Sequence, residues 1–368
     1  KNSSKKQKYD KILAKGKNMA EQAGFFDEEL RLRKLSELGD SLEKLNCIDW
    51  ESFRPIIKSV FKKKGASNAG RPAFDYVMMF KILVLQRFYN LSDDKTEFMI
   101  NDRMSFMRFL GLTLTDKVPD AKTIWNFREQ LTNSGRMRNL FNKFEKKLEK
   151  DGIIAHEATL IDATFVEAPR QRNSREENKK IKEGEVPENW KPNEEDSEAD
   201  KLKKKHKIAR KDVDARWTIK NRERIYGYKN HAKVDSKSKL VKNYKTTAAN
   251  VHDSNVCGEL LDENDKILCV DSGYMGRSVE KGIPFHVEFC CCKHSSRNRK
   301  LTREEEFINH TISKVRIRIE HVFGFMTNSM NGLTVRSVGI KRADTNIGLT
   351  NLVYNMFRYS CLLNQKKA

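Results

Sequence analysis

Glu157-Ala-Thr-Leu-Ile-Asp-Ala-Thr-Phe-Val-Glu, closing at Glu167, is the stretch on which the fold turns. Leu160, Ile161, Phe165 and Val166 carry the β-branched and aromatic character of a central strand. Pro169 ends it, since proline has no N–H to give a sheet ladder. Asp162 lies in the middle. A charge in a sheet costs free energy unless it is paired, solvated at a cleft or bound to metal, so the position points to a site. An aspartate capping a turn at a strand end accounts for the same residue, and this stretch alone does not separate the two readings.

The composition narrows the partners. Lysine and arginine number 72 against 51 acids, a formal charge of +21 that favours a polyanion, with nucleic acid the leading partner. A membrane surface is the other common polyanion, but no apolar run approaches the ~20 residues of a spanning helix. The basic start, Lys1-Asn-Ser-Ser-Lys-Lys, has no apolar signal core after it, so the expected location is the cytoplasm. The seven cysteines include Cys290-Cys291-Cys292 with His294 nearby, without the paired C-x-x-C spacing of zinc ribbons. A strand role as small hydrophobes and free thiols is expected of them.

The first part of the chain reads as helical. Leu30, Leu32, Leu35, Leu38, Leu42 and Leu45 recur near helical spacing. A basic, glycine-containing linker runs from Lys62 to Pro72, and a helix apolar on most sides spans Phe74 to Tyr89. Ser92 is an N-cap with Asp93 and Asp94 in the first turn after it. Arg103 to Leu110 forms a short helix ended by Gly111, and Asp120 caps a helix through Ile124, Trp125, Phe127 and Leu131. Short helices joined this tightly resemble a helix-turn-helix, with Lys122, Asn126 and Arg128 as candidate DNA contacts; a plain bundle with a solvated polar face fits too.

Beyond Pro169 the composition becomes almost wholly charged and polar, from Arg170 to Arg224, which predicts an insertion or mobile arm. Its run Lys201 to Lys211 would track a phosphate backbone or simply stand solvated. Tyr226 to Asp235 alternates, with Tyr228, Ala232 and Val234 on one face and Lys229, His231 and Lys233 on the other, a half-buried strand. It turns at Ser236 and returns from Leu240 to Ala249 as a hairpin. His252-Asp-Ser opens a helix through Val256 and Leu260, with Asp253 or Ser254 as its cap. Lys266 to Val270 is a buried strand with Asp271 at its C-terminal end, the edge at which ligands gather in open α/β sheets. Phe285 to Cys292 gives another strand, and Arg303 to Met330 a long helix whose stripe Val315, Ile319, Val322 and Met326 packs on the sheet. Arg316 and Glu320 stand one turn apart on it; a surface ion pair is the plain explanation. A helical tail from Thr345 to Tyr359 packs on the core.

This order resembles the DDE transposases of bacterial insertion sequences, of the insertion-sequence-five type. The resemblance rests on Ile161-Asp-Ala-Thr, Asp214-Ala-Arg-Trp-Thr, Tyr226-Gly-Tyr-Lys-Asn-His, His252-Asp-Ser, Val270-Asp-Ser-Gly-Tyr and Arg316-Ile-Arg-Ile-Glu-His-Val-Phe-Gly, in that sequence. It implies an α+β multidomain chain. A helical DNA-binding and oligomerisation domain over 1–150 precedes a ribonuclease H-like α/β catalytic domain over 151–368, with the charged insertion at 169–225. It implies Asp162, Asp271 and Glu320 as catalytic, metal-binding acids and Arg316 as part of the signature around the last of them. Arg316, Lys229, His231, Lys122 and Arg128 are the expected DNA contacts. Two departures stand out: Thr327 where the signature carries a cation two turns after the glutamate, and Ser313 where related groups have tyrosine.

The implied activity is binding of element ends followed by metal-dependent phosphodiester cleavage and strand transfer. Two magnesium ions ~3.5–4 Å apart, with manganese able to substitute, clamp the attacking and leaving oxygens of an in-line displacement. Hard magnesium prefers oxygen ligands and keeps waters, so three acids suffice. The implied partners are double-stranded DNA, as terminal repeats and target, and further copies of the chain, in a bacterial cytoplasm near the nucleoid. Rival readings are an inactive DNA-binding relic and a nuclease of the same fold that only hydrolyses.

Overall fold

The computed structural model describes residues 27–61, 73–168, 172–220, 222–295 and 299–367. The linker expected over 62–72, the basic N-terminus and Pro169 lie outside them. The chain divides after Glu43 into two units. In the first, helix α1 (Asp27–Glu37) has no buried residue, and the Ser36 hydroxyl donates to Glu43 and to the Leu32 carbonyl.

The second unit begins with six helices: α2 (Arg54–Val60), α3 (Tyr76–Phe88), α4 (Asp93–Asp102), α5 (Met104–Leu110), α6 (Ala121–Asn133) and α7 (Met137–Lys150). Their boundaries follow from local chemistry. Asp75, Ser92 and Asp120 each accept a backbone N–H of the first turn of α3, α4 and α6, and α5 ends on Gly111 at φ 75°, the left-handed conformation glycine adopts without strain. Helix α3 is the centre of this bundle, buried from Ile82 to Phe88. Trp50 packs edge-on and Phe53 tilted against its Phe80.

A mixed sheet of six strands follows: β1 (Thr159–Glu167), β2 (Arg216–Lys220), β3 (Glu223–Asp235), β4 (Val241–Ala248), β5 (Ile267–Val270) and β6 (Glu288–Cys291). The order is β2-β3-β1-β5-β6, with β4 also paired to β3. Strand β1 runs antiparallel to β3 along its full length and parallel to β5 only at Thr159 and Leu160. Helix α12 (Arg303–Asn328) lies against β1, β5 and β6. Its capping box, Thr302 with Glu305, fixes where it starts. Helix α13 (Ile340–Lys367) packs on α3, α6, α7 and β4, tying the helical half to the sheet. At Gly348 a Cβ would stand 2.2 Å from the Tyr244 hydroxyl, so the close approach of α13 to β4 requires glycine there. The Phe88 and Phe357 rings stack at 4.0 Å across the same junction. On the opposite face of the sheet, Ile161, Leu268 and Val270 pack with Val256, Tyr274, Leu260 of the short helix α10 (Cys257–Leu260) and Val279 of α11 (Arg277–Lys281).

Three sequence expectations are corrected here. The charged segment forms helices α8 (Arg175–Lys182) and α9 (Glu198–Arg210), and its last part is β2, an edge strand of the sheet. Ser174 and Glu177 make a capping box, and Trp190, 1% exposed, donates its indole N–H to Glu177. Asn173 donates to the Asp212 carbonyl and accepts from the Trp217 indole, closing the entry and exit of the segment on each other. Asp212 itself is buried, accepting from the Tyr228 hydroxyl and the backbone of Ala215 and Gly339, while Asp214 accepts from Ile340 N at the start of α13.

Strand β3 is not half-buried: every residue from Tyr226 to Asp235 is buried. Its cations survive inside because each has a partner from elsewhere in the chain. Lys229 donates to Asp253 at 2.8 Å and to the Val251 carbonyl, and the fully buried Lys233 pairs with Asp262 and, at 2.6 Å, Asp265. Asp253 therefore does not cap the short helical turn it opens. His252 does, accepting from Ser254 N.

His231, 0% exposed, bonds Thr247 through Nε2. Burial is the main influence on its imidazole and pulls it from 6.5 down to about 4, with Asp253 opposing. Between those values the unfolded chain binds a proton that the folded chain refuses. Stability is therefore lost as pH falls through that window, by about 3 kcal/mol at the limit. Urea midpoints measured across it should fall with pH, and His231→Gln should flatten the slope. Asp253→Asn, in turn, leaves Lys229 without its counter-charge, and a loss of about 2 kcal/mol is expected in urea unfolding. A change near zero would return Asp253 to a capping role.

Candidate active site

The mismatch in length between β1 and β5 creates the site. Register pairs Leu160 with Cys269, and continuing it two residues brings Asp162 level with Asp271, just past the end of β5. Beyond that point β1 keeps β3 on one side and has no strand on the other, the open C-terminal edge at which α/β sheets bind ligands. Asp271 is held by the turn that follows, its Oδ1 accepting from Gly273 N at 2.9 Å. Asp162 Oδ1 accepts from Ala163 N at 2.8 Å.

One cation faces both acids. Arg316 of α12 reaches Asp162 at 3.3 Å and Asp271 at 3.8 Å, both through Nη2, while its buried Nε has no partner. Arg316 makes no ion pair with Glu320. Burial, the largest influence, pushes the Asp162 carboxyl above its ordinary range, and Asp271 adds to this; the Ala163 N–H and Arg316 pull the other way. Two facing carboxylates served by one loosely held guanidinium form a pair short of positive charge. Glu320 lies one turn beyond Arg316, exposed and without an ion-pair or hydrogen-bond partner among the described residues. Among those residues no group of three His, Cys, Asp or Glu side chains is arranged to hold a metal ion. The structure thus brings Asp162, Asp271 and Arg316 together and leaves Glu320 beside them on the helix. Thr327 and Ser313 are exposed on the same helix, with the Thr327 hydroxyl turned back to the Phe323 carbonyl.

The other residues singled out for DNA fall in different settings. Lys122 and Asn126 are exposed on α6. Arg128 turns inward, donating to both oxygens of Asp93 and to Gln86. Lys229 and His231 are buried in β3, as described above, on the sheet face opposite Asp162. Trp125, read from sequence as one more residue of the α6 helix, is 43% exposed. A helical wheel would have signalled this, because the buried residues Ile124, Phe127 and Leu131 define a stripe from which Trp125 is rotated by about 100°. The cysteine run forms part of β6 and the residue after it, and all seven thiols are free.

No helix among the described residues is long and apolar enough to cross a membrane. Two family models match the sequence. The one described as Transposase domain (DUF772) covers residues 30–130, and the one described as Transposase DDE domain covers residues 154–356, more than half of the chain. No solved structure matches it. The second match spans β1 with Asp162, β5 with the following Asp271, and all of α12. The chain belongs to the DDE transposase family.

Proposed function

We propose that the protein binds the ends of a mobile DNA element, cuts them at the Asp162–Asp271 edge and joins them to target DNA. The catalytic part is read as ribonuclease H-like, and the helices up to residue 150 as the part that grips DNA and brings copies of the chain together. The observation that carries the proposal is the pair of carboxylates level with each other, one on β1 and one just past the end of the parallel β5, with a single arginine reaching both. In a chain of net charge +21, two acids kept side by side at an open sheet edge need a functional reason.

The donor set suits magnesium. All its members are carboxylate oxygens, the pair lacks positive charge, and a guanidinium already stands where a cation is wanted. Asp162, Asp271 and Glu320 would hold two such ions, which when bound activate water and stabilise the leaving oxygen of a phosphodiester. The rest falls to the chain's own side chains. The backbone N–H groups of Ala163 and Gly273 hold one oxygen of each carboxylate and leave both Oδ2 atoms to Arg316. Arg316, held by one nitrogen at long distance, is free to turn to a substrate phosphate once its acids are neutralised otherwise.

Asp162→Asn, Asp271→Asn and Glu320→Gln are each expected to abolish cleavage and joining on a supercoiled substrate with magnesium, while folding and end binding persist. Double variants should lose little more than single ones, because groups that act as a unit are not additive. Near-normal cutting by any of the three would remove that residue from the site, and cutting without joining would make the protein a nuclease. End binding should weaken with salt, log K falling by about 0.9 per neutralised phosphate against log salt. A flat response would exclude phosphate contacts as the source of affinity.

A further inference from the structure

The exposed ring of Trp125 has no counterpart among the chain's four tryptophans. Trp50 and Trp190 are 9% and 1% exposed, and Trp217 donates its indole N–H to Asn173. Trp125 forms a ridge between two clefts of 290 and 310 Å³, and Arg336 and Ser337 line both. These volumes sit at the lower end for small-molecule sites, too small to enclose a large cofactor.

Below the first cleft lies Arg87, 5% exposed. Its Nη2 donates to the Gly332 carbonyl at 2.6 Å and its Nη1 reaches Thr334 O at 3.5 Å, while Nε is buried without a partner. Among the described residues no carboxylate pairs with it. Burial, and then the charge of Arg336, pull its guanidinium down to about 10. A buried arginine served only by carbonyls lacks an anion. Arg128, in the same cleft, is already neutralised by Asp93. Arg336 is oriented by Asn90, which accepts from both of its terminal nitrogens.

We propose that this double cleft binds one unpaired nucleotide of a DNA strand, its base stacked on Trp125 and its phosphate drawn to Arg87 and Arg336. The inference rests on the reading of the protein as one that acts on DNA. Bases inside a duplex are stacked on each other and offer no face to an indole, so the ligand is single-stranded; base-on-aromatic stacking is the usual way such strands are held. Placement supports it. One wall of the double cleft is the segment from Thr334 to Val338, bonded to the end of β1 through Glu167, which exchanges backbone hydrogen bonds with Leu333 and Val335. Asp162 lies five residues back along that strand, about 16 Å away. The cleft is thus braced on the same strand that carries Asp162.

The test uses the full chain with a short oligodeoxythymidylate and, separately, a blunt duplex of the same length. Oligonucleotide binding is expected to quench tryptophan fluorescence. Trp125→Ala should remove that quenching and weaken oligonucleotide binding about tenfold, with the duplex bound as before. Trp125→Phe should keep most of the affinity. Equal oligonucleotide binding by Trp125→Ala would overturn the proposal, as would an equal loss on duplex. Thymidine monophosphate should displace the oligonucleotide better than inorganic phosphate does; equal displacement would also overturn it, leaving only an anion site. If Trp125→Ala binds normally while Asp162→Asn still fails to cut, the nucleotide site falls and the transposition reading stands. If neither DNA is bound, both fall.

Discussion

Strand β1 is bonded to β3 from end to end and to β5 at two residues only, and everything at the site depends on that inequality. Were β5 as long as β1, its backbone would cover the edge on which Asp162 stands. Because β5 stops, Asp162 and Asp271 come level past the last shared hydrogen bond, Asp162 largely buried and Asp271 open to solvent. Helix α12 completes the arrangement by laying Arg316 between them, and its buried residues Ile319 and Val322 hold it to the sheet.

The same chain keeps several other charges out of water, and treats them in the opposite way. Lys229 and Lys233 are paired with acids, and Asp212 is hydrogen-bonded by the Tyr228 hydroxyl and backbone N–H groups. Pairs of this kind contribute less to net stability than to uniqueness, since a register slip of β3 would bury its lysines against the wrong neighbours. Arg87 keeps a buried Nε with no partner, and the Asp162–Asp271 pair shares one guanidinium. Incomplete compensation in a well-paired interior is a physical marker of a group kept for a ligand.

Much of this was legible from residues. The apolar run around Asp162, the strand ending at Asp271 and the stripe of α12 placed three elements correctly, and Ser92, Gly111 and Asp120 marked helix ends. Strand β3 misled because alternation of apolar and cationic residues is what a half-exposed strand looks like. The acids that let its lysines go inside lie 24 to 32 positions away and leave no local trace. The charged segment misled for a related reason. Its order rests on a few anchors, Trp190, Trp217 and Asp212, among many solvated residues, so average composition hid them, although Ser174 and Glu177 stand at capping-box spacing. Arg316 was seen as a helix-surface neighbour of Glu320, since its true partners come from two strands far away in the chain.

The closed stem of that charged segment has an engineering consequence. Asn173 touches both Asp212 and Trp217, so the chain leaves and re-enters the sheet at nearly one point. A segment whose ends are already together adds little loop-closure entropy as it lengthens or shortens, roughly 0.6 kcal/mol per doubling. The body beneath is thereby insulated from what is grafted above it. Residues between Ser174 and Lys211 form a socket where a reporter or a foreign folded module can replace the native segment while β1 and its aspartate keep their place.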